Sequence, residues 1–145
     1  MTSSTKHPYS ETDEERRLRL RTFILEESYK NQRKAHEYME QHKYNEALYL
    51  LNNVLRVRRQ CVDVKPSICC LDVASVHLDI GLILKEIHHH AAARCHLFHA
   101  WMYHYNFYGP DHEMTNQTKR MWFEITFSSV IVRFEDELCH TAAAA

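Results

Sequence analysis

The chain has little that breaks a helix. Of its 145 residues only 2 are glycine and 3 are proline. A Walker-type phosphate loop needs paired glycines followed by lysine, and a dinucleotide fingerprint needs three. Gly81 and Gly109 stand too far apart to build either. A sandwich or barrel needs a turn every 8–12 residues or so, and the turn residues for it are missing. Long apolar runs are also missing. Ile80-Gly81-Leu82-Ile83-Leu84 is the longest aliphatic stretch, far short of the roughly 20 residues of a membrane helix. Residues 1–22 contain no apolar segment of the secretory kind, and Glu11, Asp13, Glu14 and Glu15 do not suit a mitochondrial transit peptide. Net charge is nearly absent too, at −1, so no broad field attracts nucleic acid or acidic lipid.

What is present points to helices. Leu, Ala, Glu, Lys, Arg and His dominate, all compatible with helix. The length suits one domain with a sizeable core. Five cysteines, at 61, 69, 70, 95 and 139, make an odd set with two adjacent. That is a poor disulfide framework and fits reduced thiols in the cytosol or nucleus, and a cytoplasmic protein is expected. Twelve histidines make acid the expected perturbant, since their ordinary pKa is roughly 6.5.

Residues 1–10 read as a disordered tail. Ser10 or Thr12 should cap a first helix running to about Gln41, with acids in its first turn. Asn45 should cap a second helix from Glu46 to about Cys61. It carries Ala47, Leu48, Leu50, Leu51, Val54, Leu55 and Val57 as an apolar stripe. Residues 63–67 read as a connection. A third helix begins at Ser67 or Asp72 and runs to Ile87, and His88-His89-His90 forms the next turn. A fourth spans Ala91 to about Tyr108, and Gly109-Pro110 breaks it. A fifth begins near Asp111. From Trp122 to Leu138 the alternation of Phe123, Ile125 and Phe127 allows a hairpin, but the repeat described next favours helix. Residues 141–145 form an Ala-rich tail.

A shift of 46 residues lays the chain on itself. Ala35 falls on Gly81, Tyr38 on Leu84, Ala47 on Ala93, Leu51 on Leu97, Val54 on Ala100 and Leu55 on Trp101. Small residues in matching places on two helices allow a close antiparallel crossing. The segments His42-Lys43-Tyr44-Asn45-Glu46-Ala47-Leu48, Leu48 to Arg59, Asp72 to Gly81, and Tyr108-Gly109-Pro110-Asp111-His112 resemble the tetratricopeptide repeat, in the long form found in kinesin light chains. The likeness covers about residues 30–123. His77 departs from it, standing where the family carries an aromatic or aliphatic residue, and the coiled coil by which such light chains join a motor is absent.

The resemblance implies an all-α chain of antiparallel helical hairpins stacked as a short right-handed solenoid. Repeats would lie near 28–61 and 72–108 within an array of 11–140, capped by the long first helix and by 111–139. About three repeats are usually needed for stability. The ends are therefore capped by these segments, or the chain self-associates or belongs to a larger array. The function implied is non-catalytic: a scaffold binding a protein or peptide partner in a concave groove lined by Gln32, Arg33, His36, Leu78, Asp79, Leu82 and Lys85. No nucleic acid, membrane or cofactor is expected.

The other chemistry in the sequence is weaker. His88-His89-His90, Cys95, His96 and His99 could serve a metal, and a histidine-rich metal-binding helical protein is the alternative reading. Zinc wants three or four converging ligands, however, and the repeat register puts His96 and His99 on a solvated convex side. Cys69-Cys70, Asp72 and His77 are close in sequence, but no oxyanion turn surrounds them, so an enzyme is not expected. Arg16, Arg17, Arg19 and Arg21 with Arg56, Arg58 and Arg59 are the main basic material, and they are balanced by acids.

Overall fold

In the computed structural model the backbone of residues 11–61 and 66–143 is described, with the side chains of 11–61 and 70–128. The reading of 1–10 as a tail and the 63–65 part of the 63–67 connection lie outside the described residues, while Pro66 and Ser67, expected in that connection, already belong to the third helix. The chain forms α1 (Asp13–Glu40), α2 (Tyr44–Cys61), α3 (Pro66–Glu86), α4 (His90–Tyr108) and α5 (Glu113–Ala143). No strand occurs among the described residues. The fold is all-α, and the 122–138 segment belongs to one continuous helix that runs into the Ala-rich tail. Each helix packs on the next in chain order.

Local chemistry explains the boundaries. Thr12, not Ser10, caps α1. Its hydroxyl accepts from the Glu15 N–H at 3.2 Å, while the Glu15 carboxylate accepts from the Thr12 N–H at 2.8 Å. This reciprocal pair satisfies two donors at the helix start and holds the Glu15 carboxyl below its usual range. The α1–α2 turn closes through left-handed His42 (φ 57). The Lys43 N–H reaches back to the Tyr38 carbonyl at 2.8 Å, and the His42 N–H to the Met39 carbonyl at 3.0 Å. These two bonds are the Schellman pattern. The Lys43 carbonyl then accepts from the Ala47 N–H at 3.1 Å. The helix is thus under way at Tyr44, ahead of the start expected from Asn45.

The same turn recurs 46 residues later. His88 is left-handed (φ 62). The His89 N–H bonds the Leu84 carbonyl at 2.8 Å, the His88 N–H the Lys85 carbonyl at 3.1 Å, and the Ala93 N–H the His89 carbonyl at 3.0 Å. The internal repeat is therefore present in the backbone as well as in the sequence. Its small residues lie where the helices cross. Ala35, Ala47 and Ala93 are wholly buried. A Cβ placed on Gly81 would sit 2.9 Å from Leu97 Cγ and Cδ2, so α3 and α4 meet at a distance only glycine allows without movement of Leu97.

Two apolar clusters follow. Ala35, Ala47, Leu51, Val54, Leu55, Val73, Val76, Ile80 and Ile83 join α1, α2 and α3. Ala93, Leu97 and Ile125 join α4 and α5, with Leu78, Leu84, Met121 and Trp122 packed against them. One member of the core is charged. Arg58 is fully buried, whereas its neighbours Arg56 and Arg59 are exposed. Its Nε donates to Ser28 Oγ at 3.3 Å and its Nη1 to the Asp72 carbonyl at 3.0 Å. Its guanidinium lies 4.5 Å from the Tyr29 ring centroid, and the Tyr29 hydroxyl donates to the Asp72 carboxylate. A buried charge needs such partners, and here they tie α1, α2 and α3 together. Farther along, His104 donates through Nδ1 to Thr118 Oγ1 at 2.8 Å, because that hydroxyl spends its own proton on the Met114 carbonyl. This bond pins α4 to α5. Left-handed Gly109 ends α4.

Candidate functional site

The odd-numbered helices share one side of the molecule, as shown by polar bonds that skip the helix between them. Gln32 on α1 donates to the Asp79 carboxylate on α3 at 2.7 Å and approaches Ser75 Oγ at 3.3 Å. His36, one turn along α1, reaches the same carboxylate oxygen, Oδ2, through Nε2 at 2.8 Å. Farther round α3, Lys85 lies 4.0 Å from Glu124 of α5. Helical spacing explains the division. Ser75 and Asp79 are four apart and face α1, Leu78 and Lys85 are seven apart and turn toward α5, and Leu82 falls between the two edges.

Of the seven residues expected to line a groove, the structure gathers Gln32, His36 and Asp79 into one hydrogen-bonded group. Arg33 and Lys85 are exposed and Leu82 is half-buried. Leu78 differs from the expectation. It packs against the Ala93, Leu97 and Ile125 cluster and belongs mainly to the core. Its i+4 partner on α3 is Leu82, which leaves that residue as the apolar element between the two polar edges.

On the opposite side, sequence reasoning missed a second group. His77 is 1% exposed. Its Nε2 lies 3.3 Å from Arg59 Nη2 on α2, and its Nδ1 lies 2.9 Å from His96 Nδ1 on α4. The His99 ring centroid is 5.1 Å away, and Tyr103 stacks on His77 at 6.1 Å. Burial pushes the His77 imidazole down to about 3, helped by the neighbouring His96, His99 and Arg59. Burial also lowers His96, with His99 and Arg59 acting in the same sense. The expectation that His96 is merely solvated is thereby corrected: it is half-buried against His77, while His99 is exposed. The register put both on a solvated convex side. What it did not reveal is that a histidine at position 77 would lie beneath them. The departure of His77 from the repeat pattern was the available signal.

Among the described residues no three His, Cys, Asp or Glu side chains converge to hold a metal ion, and none of their helices is long and apolar enough to cross a membrane. No protein-family model, curated protein or solved structure matches the chain.

Proposed function

We propose that the chain is a non-catalytic protein-interaction module, built as a short tetratricopeptide-like array of helical hairpins. The α1, α3 and α5 layer would hold a peptide or partner helix against a groove centred on Leu82. The observation that carries this reading is the Gln32–Asp79–His36 bridge. It fixes α1 beside α3 through side chains on the open face, so the surface is ordered before a partner arrives. A pre-ordered surface loses little freedom on binding. The recurrence of the His42 and His88 turns at one spacing supports the stacked arrangement, because identical turns impose identical hairpin geometry. The kinship with kinesin light chain repeats is part of the same proposal. It concerns the repeat type and not a motor.

The test is affinity capture with the purified chain, with Arg33→Glu and Lys85→Glu together as the control. These residues are exposed, so the control should keep its fold, checked by circular dichroism. A partner retained by the wild type and lost by the control, with its amide-shift footprint on α1, α3 and α5, supports the groove. Equal retention by both, or a footprint confined to α2 and α4, refutes it.

A further inference from the structure

The charges of the two layers are unequal. Helices α2 and α4 contain a single acidic residue between them, Glu46, against Arg56, Arg58, Arg59 and Arg94. The acids lie on the other layer, including Glu26, Glu27, Glu37 and Glu40 on α1 and Asp72, Asp79 and Glu86 on α3. Glu46 stands 13 residues before Arg59, roughly 20 Å along the helix. Between α2 and α4, where Arg59, His77, His96 and His99 meet, no described carboxylate competes for the cation: Arg59 forms no ion pair among the described residues, and its hydrogen bond goes to an imidazole.

Hydrogen-bond direction there is fixed by elimination. A guanidinium only donates, so His77 Nε2 accepts from Arg59. His77 must then carry its proton on Nδ1, which donates to His96 Nδ1. His96 in turn must carry its proton on Nε2. The chain starts at a cation and ends in the His96 Nε2–H, polarised by it. His96 is half-buried, Arg59 and His99 are exposed, and every free position in the group is a donor or can become one. We propose that this cluster binds an oxyanion, specifically a phosphate group, held by the Arg59 guanidinium and by the His96 and His99 ring N–H groups. Arginine suits phosphate because its planar fork can meet two oxygens at once. The site lies on the α2–α4 side and is independent of the proposed groove.

The experiment is ring-nitrogen NMR of the intact chain, titrated with inorganic phosphate and, separately, with phosphoserine, at constant ionic strength made up with chloride. The expected result is saturable shifts of the His96 and His99 ring signals, with affinity reduced about fivefold or more in Arg59→Gln and in His99→Gln. Arg56→Gln, one turn away and outside the cluster, should change affinity less than twofold. Tighter binding of phosphoserine would assign the site to a phosphorylated side chain, and equal or tighter binding of inorganic phosphate to the free ion. Linear shifts, shifts reproduced by chloride, or wild-type affinity in both cluster variants would overturn the proposal. His99 is exposed, so His99→Gln remains informative if Arg59→Gln disturbs the fold.

Discussion

Acid should destabilise this protein through one residue more than any other. His77 is buried among Arg59, His96, His99 and Tyr103, and its folded pKa is about 3 against an ordinary value of 6.5. The folded state therefore keeps it neutral where the unfolded chain protonates it. Stability is intact above pH 6.5 and is lost progressively as pH falls from 6.5 toward 3, because the unfolded state binds the extra proton. At pH 5 the unfolded imidazole is almost fully protonated and the folded one almost not at all. The difference is worth about 2 kcal/mol relative to pH 7.5, for this single group. His96 and His104 are shifted in the same direction, both chiefly by burial, and add to the loss.

The assay is urea unfolding at pH 7.5 and pH 5.0 of the wild type and of His77→Leu. The substitution removes the titrating group and also two hydrogen bonds, so its stability at one pH is not the readout. The readout is the change between the two. The wild type should lose about 2 kcal/mol more than the variant. If His77→Leu loses as much as the wild type, or if the His77 ring titrates near 6.5 by NMR, the burial argument is refuted.

Three further outcomes follow from the packing. Gly81→Ala should destabilise by about 1–2 kcal/mol in thermal melts despite alanine's better helix propensity, because Leu97 is buried and has no room to retreat; a gain in stability would show that α3 and α4 are not in close contact. His42→Gly and His88→Gly should each stabilise by about 0.5–1 kcal/mol, since both positions are left-handed, and a loss would mean that the imidazole contacts outweigh backbone strain. Arg58→Ala should cost about 3 kcal/mol or more in urea midpoint analysis, by opening a void where a fully buried side chain ties α2 to Ser28 and to the Asp72 carbonyl; a near-neutral result would place Arg58 at the surface.

The helices were legible because they follow from periodicity and from scarce breakers, both local properties. The boundaries were less so. Asn45 is a good capping residue, but the backbone closure at His42 and Lys43 starts α2 ahead of it, and that closure depends on a positive φ at a histidine, a weaker signal than the glycine that usually marks such a turn. The pairing of small residues at the hairpin crossings was legible because crossing demands smallness regardless of partner. The fates of Arg58 and His77 were not. Arg56, Arg58 and Arg59 look alike in sequence. Which of them turns inward depends on whether Tyr29, Ser28 and the Asp72 carbonyl arrive from two other helices.

The same dependence separates the two faces. Gln32, His36 and Asp79 are each ordinary polar residues on a helix surface, and their spacing alone predicts only solvation. They become a unit because the hairpins bring α1 beside α3, one carboxylate then meeting two donors. On the far side the same packing brings Arg59, His77 and His96 together, and among the described residues no carboxylate pairs with Arg59. A carboxylate with two donors is locally satisfied, whereas a guanidinium bonded to the neutral His77 imidazole gains no compensating charge from that bond. The first arrangement stiffens a surface; the second leaves a surface with unmet electrostatic demand. The repeat that builds the fold thus gives the α1–α3–α5 face shape and the α2–α4 face charge. A partner chosen by shape and an anion chosen by charge would bind without competing for the same residues.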